Sequence, residues 1–118
     1  MGKFDNRIES VLDGIMLKAD DHSVELICDP MYDEDDPRYK SAVFVQNVYT
    51  ERIGMLCLNL EDTDPDELQY LTFWPKMYQY SKQEGFSREE SFKAFGDKII
   101  TAVTPKEFLK FILSDETY

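Results

Sequence analysis

Carboxylates are the most numerous groups of this chain that could take part in chemistry, since the chain holds 24 Asp and Glu residues. Their most suggestive spacing is Asp62-x-Asp64-x-Asp66, which matches the start of a calcium-binding loop. Such a loop needs glycine at its sixth position and a bidentate glutamate at its twelfth, where this sequence has Glu67 and Phe73. The spacing therefore does not predict a calcium site, and helix capping accounts for Asp64 and Glu67 instead.

The single histidine and the two cysteines could support nucleophilic or metal chemistry, but their spacing does not favour it. His22 stands between Asp21 and Ser23, and residues adjacent in sequence do not converge as a catalytic triad does. Cys28 and Cys57 lie in apolar, strand-like runs without C-x-x-C spacing. This indicates buried reduced thiols, with a disulfide or a redox role as the alternative. The sequence also has no glycine-rich phosphate loop, so we expect no enzyme activity, no cofactor and no metal.

The distribution of charge is more informative than any motif. Residues 1–75 hold 17 acidic and 6 basic residues, whereas residues 76–118 hold 7 of each. The stretches 20–36 and 54–74 contain eight and five carboxylates and no Lys or Arg. A one-sided field of this kind repels nucleic acid and anionic membranes and steers a basic partner into contact. We therefore expect a basic protein partner and no direct binding of nucleic acid or membrane.

Aromatic residues accompany the acidic stretches. Five of them fall within residues 70–80, more than one core-facing side of a helix can absorb, and Tyr32 and Tyr39 flank the acidic residues 33–36. Exposed Tyr and Trp beside charge are typical of binding hot spots. The predicted partner-binding residues, all of them acidic or aromatic, are Asp29, Tyr32, Asp33, Glu34, Asp35, Asp36, Tyr39, Glu61, Asp62, Asp66, Tyr70, Trp74, Tyr78 and Tyr80.

The first half of the chain predicts one helix followed by three strands. Apolar residues recur at helical spacing from Phe4 to Ile15, and we expect this helix to end at residues 19–21. A twelve-residue acidic loop is expected at residues 29–40. Runs rich in apolar and β-branched residues predict strands at 23–28, 42–48 and 53–60, the last two joined by a polar hairpin connection at 49–52.

The second half predicts helices with clear starting points. Asp64, Ser87 and Thr104 are each followed by Glu at the third helical position, which is the capping-box spacing. The helix from Asp64 is expected to break or kink near Pro75, and a fourth strand is predicted at 98–103. The order α-β-β-β-α-α-β-α describes an α+β fold, an antiparallel meander packed against helices.

Length and hydropathy set the remaining bounds. A chain of 118 residues suits one domain, predicted here over residues 1–118. It has no apolar run long enough for a membrane-spanning helix, and its first ten residues are too polar for a secretory signal. We expect a cytoplasmic protein.

These features predict a small acidic protein inhibitor that binds and blocks a basic partner, namely a nuclease or another nucleic-acid-handling enzyme. Immunity proteins of bacterial toxins, antitoxins and phage anti-defence proteins share this surface chemistry. Its carboxylates would either mimic the spacing of phosphates or form a general acidic interface. The alternative is a dedicated acidic chaperone or adaptor, of the type that serves secretion systems and binds a disordered client segment. Exposed apolar strands would favour the chaperone.

Overall fold

The computed structural model describes residues 6–30, 42–58, 68–87, 90–91 and 100–114, and these form a five-stranded antiparallel sheet with helices. The strands lie side by side in chain order, from β1 at one edge to β5 at the other. The predicted α+β class and antiparallel meander are therefore confirmed. The elements are α1 (Asn6–Asp21), β1 (Leu26–Pro30), β2 (Ala42–Asn47), β3 (Ile53–Leu58), β4 (Leu68–Phe73), α2 (Pro75–Gln83), β5 (Ile100–Val103) and α3 (Pro105–Ile112).

The apolar stripe predicted for the first helix faces the sheet. Ile8, Leu12, Ile15 and Ala19 are all buried and share one core cluster with residues of β1, β2, β3 and α3. The helix ends at residue 21, as expected, and the chain reverses through Ser23, whose φ of 57° lies in the left-handed region. That turn is why β1 begins three residues later than the predicted strand.

β3 is the central strand of the sheet, and all six of its residues are buried, as its nearly continuous apolar run indicates. Alternate residues of β2, β3 and β4 contribute to different cores, because successive side chains of a strand point to opposite faces. The core shared with α1 and α3 includes Val43, Val45, Leu56 and Leu58, whereas the core on the other face includes Phe44, Met55, Leu71 and Phe73.

The close packing of α3 onto the sheet depends on a glycine in β3. A Cβ atom on Gly54 would overlap Cε2 of Phe108, lie 2.7 Å from its Cζ, and lie 3.1 Å from the carbonyl oxygen of Leu71. Phe108 is fully buried in α3, and its ring meets Tyr70 edge to face at a centroid distance of 5.7 Å. Gly54 therefore lets the Phe108 ring rest directly on the sheet backbone.

A buried asparagine joins the β2–β3 hairpin to the end of α3. The Oδ1 atom of Asn47 accepts hydrogen bonds from the main-chain N–H groups of Tyr49 (2.9 Å) and Thr50 (3.1 Å), which closes the turn. Its Nδ2 donates to the carbonyl of Ile112 at 2.9 Å, one of the carbonyls that a helix leaves without an intrahelical partner at its C-terminus. The predicted hairpin connection is thus held by a tertiary contact as well as by its own turn.

The prediction of a helix that starts at Asp64 is wrong over residues 68–73, because these residues form the strand β4. This segment pairs with β3 on one side and β5 on the other. Its residues alternate between the two cores at a period of two, with Tyr70 packed against one and Leu71 and Phe73 buried in the other. Backbone pairing to two neighbours outweighs local helix propensity here. Pro75 begins α2 at its first turn instead of kinking a longer helix.

Two of the three predicted capping boxes are confirmed. At α3, Thr104 Oγ1 accepts from Glu107 N at 3.1 Å while Glu107 Oε1 accepts from Thr104 N at 3.0 Å. Ser87 and Glu90 make the same reciprocal pair, both at 3.2 Å. Asp64 lies outside the described residues, as do positions 59–60 and 98–99 of the predicted strands.

Candidate interaction surface

Many of the predicted partner-binding residues lie outside the part of the chain that the structure describes. Asp29, Tyr70, Trp74 and Tyr80 are described in full, and Tyr78 is placed only by its main chain within α2. The residues outside the described ranges are Tyr32, Asp33, Glu34, Asp35, Asp36, Tyr39, Glu61, Asp62 and Asp66.

Tyr70 is a packing residue of the sheet. It lies on β4, half-buried, with its ring against Phe108, and it borders the core beneath α1 and α3. Burial raises the pKa of its phenol. Of the predicted aromatic anchors whose side chains the structure describes, Tyr70 is therefore the one that most clearly supports the fold.

Trp74 and Tyr80 present large aromatic surfaces to solvent, with exposed fractions of 57% and 55%. Trp74 occupies the N-cap position of α2, and its indole Nε1–H donates to Thr101 Oγ1 of β5 at 2.6 Å. This bond restrains the orientation of an exposed ring. A tryptophan that is held in place before binding loses little conformational entropy when a partner covers it.

Trp74 and Asp29 lie towards opposite edges of the sheet. Asp29 is on β1, an edge strand of the sheet, whereas Trp74 directly follows β4 and is bonded to β5 at the opposite edge. Three strand spacings separate β1 from β4, about 14 Å. The described residues therefore do not join the predicted aromatic anchors to Asp29 as one patch.

The charge asymmetry of the sequence becomes a spatial asymmetry in the fold. Residues 6–30, which form α1 and β1, hold six acidic and two basic residues. Residues 68–87, 90–91 and 100–114, which include β4, α2, β5 and α3, hold three acidic and four basic residues. The two acidic elements touch each other, with Met16 Sδ 3.9 Å from Cys28 Sγ. Among the described residues, the negative field is concentrated at the α1–β1 side.

The structure adds one residue to this acidic side that the sequence-based prediction missed. Leu17 of α1 is 67% exposed, the largest exposed fraction among the large hydrophobic residues that the structure describes. It lies out of phase with the buried stripe, two residues after Ile15 and five after Leu12. That phase difference was the signal available in the sequence, since it turns Leu17 away from the core.

The groups suited to nucleophilic or metal chemistry differ in burial: Cys57 is buried, Cys28 is half-buried and His22 is exposed. Burial raises the pKa of both Cys28 and Cys57 to about 11, with the charge of Asp29 adding to the effect at Cys28. Both thiols are free. His22 is exposed, with Nδ1 2.8 Å from the carbonyl of Lys18 at the end of α1. Within the described ranges, no group of three or more His, Cys, Asp or Glu side chains could hold a metal ion.

Comparisons with protein-family models, with curated proteins and with solved structures find no significant match to this chain. Within the ranges that the structure describes, no helix has the length and apolar character needed to cross a membrane.

Proposed function

We propose that this protein is a small acidic inhibitor that binds a basic protein, such as a nuclease or another nucleic-acid-handling enzyme, and blocks the surface that would receive phosphates. The observation that carries the proposal is the excess of acidic residues on the adjacent elements α1 and β1, compared with the nearly balanced charge of residues 68–87, 90–91 and 100–114. A field of one sign on one side of a small protein orients and accelerates its encounter with a basic partner.

Carboxylates alone would give fast but weak and salt-sensitive binding, because an exposed ion pair contributes only about 0–1 kcal/mol. Tight inhibition also needs apolar or aromatic residues that a partner desolvates. The exposed rings of Trp74 and Tyr80 and the exposed side chain of Leu17 are available for this on the described surface. The proposal therefore assigns speed and specificity to the acids, and slow dissociation to these larger side chains.

The exposure of the strands supports an inhibitor more than a chaperone for disordered clients. A chaperone would present continuous apolar strands, yet β3 is buried throughout and β2 is buried at all positions except the half-buried Gln46. Among the described strand residues, Ile27 of β1 is the large apolar side chain with substantial exposure.

The experiment that tests the function is capture of partners on the immobilised protein at low and high salt, followed by reconstitution with the purified partner. We expect the partner to be basic, to bind with an affinity that falls as salt rises, and to lose its enzymatic activity when bound. Capture of acidic or neutral partners at both salt concentrations would contradict the proposal, and so would a basic enzyme whose activity is unaffected in the complex.

A further inference from the structure

The outward face of α1 has an unusual composition for an exposed helix surface. At 3.6 residues per turn, Leu17 projects about 180° from the centre of the buried stripe that includes Ile8, Leu12 and Ile15. A leucine at this position makes no contribution to the core. Single exposed leucines are common on protein surfaces, so the residues around Leu17 decide whether it has a role.

Three carboxylates surround Leu17. Asp13 and Asp21 lie four residues before and after it, Asp20 lies three residues after it, and all three are exposed. Residues three and four apart are neighbours on a helix surface, so these side chains enclose Leu17 on both sides along the helix. Lys18, the nearest cation in sequence, is turned about 100° away from Leu17.

Gly14 lies beside Leu17 and has no side chain, so the helix surface is open at this position. It lies three residues before Leu17 on the same outward face, and, apart from its neighbouring residues and the nearby helix backbone, no heavy atom of the described residues lies within 4 Å of the position that a Cβ would occupy there. A partner side chain could therefore approach the helix backbone closely next to Leu17. The face combines one apolar centre, one open position and three negative charges, and Lys18 borders it, four residues after Gly14.

The helix that carries this face is held firmly against the sheet. Four residues of its inner stripe are buried, and its last turn is closed by hydrogen bonds from His22 N to Ala19 O at 3.1 Å and from Val24 N to Ala19 O at 2.8 Å. The outward side chains are consequently displayed on a fixed scaffold. A preformed surface of this kind reduces the entropy lost on binding.

We propose that the outward face of α1 is the docking surface for a basic amphipathic protein segment. An apolar residue of the segment covers Leu17, and its Lys or Arg side chains pair with Asp13, Asp20 and Asp21. This inference rests on the proposed function and assigns its apolar anchor to α1. Charge complementarity selects the occupant: a second copy of this chain would bring six aspartates together, which like-charge repulsion disfavours.

The test uses two fluorescent synthetic peptides of equal positive charge, an amphipathic helix of leucine and lysine and a lysine–serine peptide without an apolar face. Binding to the full chain is measured by anisotropy over a range of salt. We expect Leu17→Ser to weaken binding of the amphipathic peptide about tenfold, which corresponds to about 1.4 kcal/mol, and to leave the lysine–serine peptide unaffected. Tyr49→Ser is the matched control, because Tyr49 is 65% exposed but lies outside α1.

A second pair of variants tests the charges. Asp13→Asn should weaken binding of both peptides at low salt and flatten the salt dependence, whereas Glu84→Gln, which removes one exposed carboxylate at the end of α2, should change neither. Circular dichroism is expected to show unchanged folding in all four variants, because each altered side chain is exposed.

The outcomes separate this inference from the proposed function. Equal effects of Leu17→Ser and Tyr49→Ser would overturn the assignment to α1 while leaving an acidic inhibitor intact. If neither peptide bound the unaltered chain at low salt, that result would contradict the proposed function itself. A dimer in sedimentation analysis that Leu17→Ser dissociates would show that a second copy covers this face, and would overturn the proposed occupant.

Discussion

Replacing Gly54 with alanine tests the closest packing contact in the fold. The added methyl group would overlap the ring of Phe108 and lie 3.1 Å from the carbonyl oxygen of Leu71. The ring cannot swing aside at low cost, because it is fully buried and meets Tyr70 edge to face. The strain must therefore be relieved by moving α3 away from the sheet.

The expected loss of stability follows from two opposing effects. Overpacking a filled core costs about 1–3 kcal/mol, whereas replacing glycine by alanine in a strand gains about 0.5–1 kcal/mol in backbone entropy. We expect Gly54→Ala to lower the free energy of unfolding by about 1–2 kcal/mol, or roughly 4–8 °C in Tm for a domain of this size. Urea unfolding monitored by far-ultraviolet circular dichroism measures the change.

A comparison in a second background identifies the cause of the loss. Phe108→Ala removes the ring and costs about 3–5 kcal/mol by itself, but Gly54→Ala in that background should become neutral or stabilising. Gly14→Ala provides a control of opposite sign: beyond the helix's own nearby backbone and its chain neighbours, no atom of the described residues lies within 4 Å of its Cβ position, so the substitution should stabilise α1 by about 1 kcal/mol. An equal cost of Gly54→Ala with and without Phe108 would refute the packing argument.

Three further predictions concern other contacts. Thr104→Ala should cost about 0.5–2 kcal/mol of unfolding free energy through loss of the N-cap. Hydrogen bonds from Thr104 lower the pKa of Glu107 below its ordinary 4.5, so the stability due to Glu107 should be present above pH 4.5 and lost as the pH falls below it. In thermal melts, Glu107→Gln should abolish this acid dependence. Asn47→Ala should lower the unfolding free energy measured in urea by about 2–4 kcal/mol, since it leaves buried main-chain groups of the hairpin and of α3 unpaired. A loss no larger than that of a surface substitution would contradict the role of Asn47 in joining the hairpin to α3. Burial raises the pKa of Cys28 and Cys57 to about 11, against 9.0 for an ordinary thiol. We therefore expect slow alkylation of both thiols near neutral pH, and a loss of folding stability as the pH rises from about 9 to 11. Rapid alkylation of the native protein would contradict their burial.

The predicted partner-binding residues remain predictions, and those that the structure describes differ in how exposed they are. Trp74 and Tyr80 are exposed, as a binding role requires, whereas Tyr70 packs against Phe108. The sequence predicts a helix through the aromatic residues 70–80, but Tyr70 lies in a strand and Tyr80 in the helix that follows. Leu17 is absent from the predicted residues because it precedes the acidic stretch 20–36 and is neither acidic nor aromatic.

The features that the sequence determined by itself are those governed by interactions within a few residues. The helix starts at Ser87 and Thr104 follow from hydrogen bonds between residues three apart, and the inner stripe of α1 follows from helical periodicity. The partition of charge along the chain also carried over, since α1 and β1 are neighbours both in sequence and in space.

Tertiary structure decided the features that depend on distant partners. Residues 68–73 form a strand because β3 and β5 supply backbone hydrogen-bonding partners on both sides, and local propensity cannot report those partners. The need for glycine at position 54 is set by Phe108, and the burial of Asn47 by the end of α3. In each case the energy comes from groups more than 50 positions away in the chain or from neighbouring strands, so it exists only once the sheet and α3 have assembled.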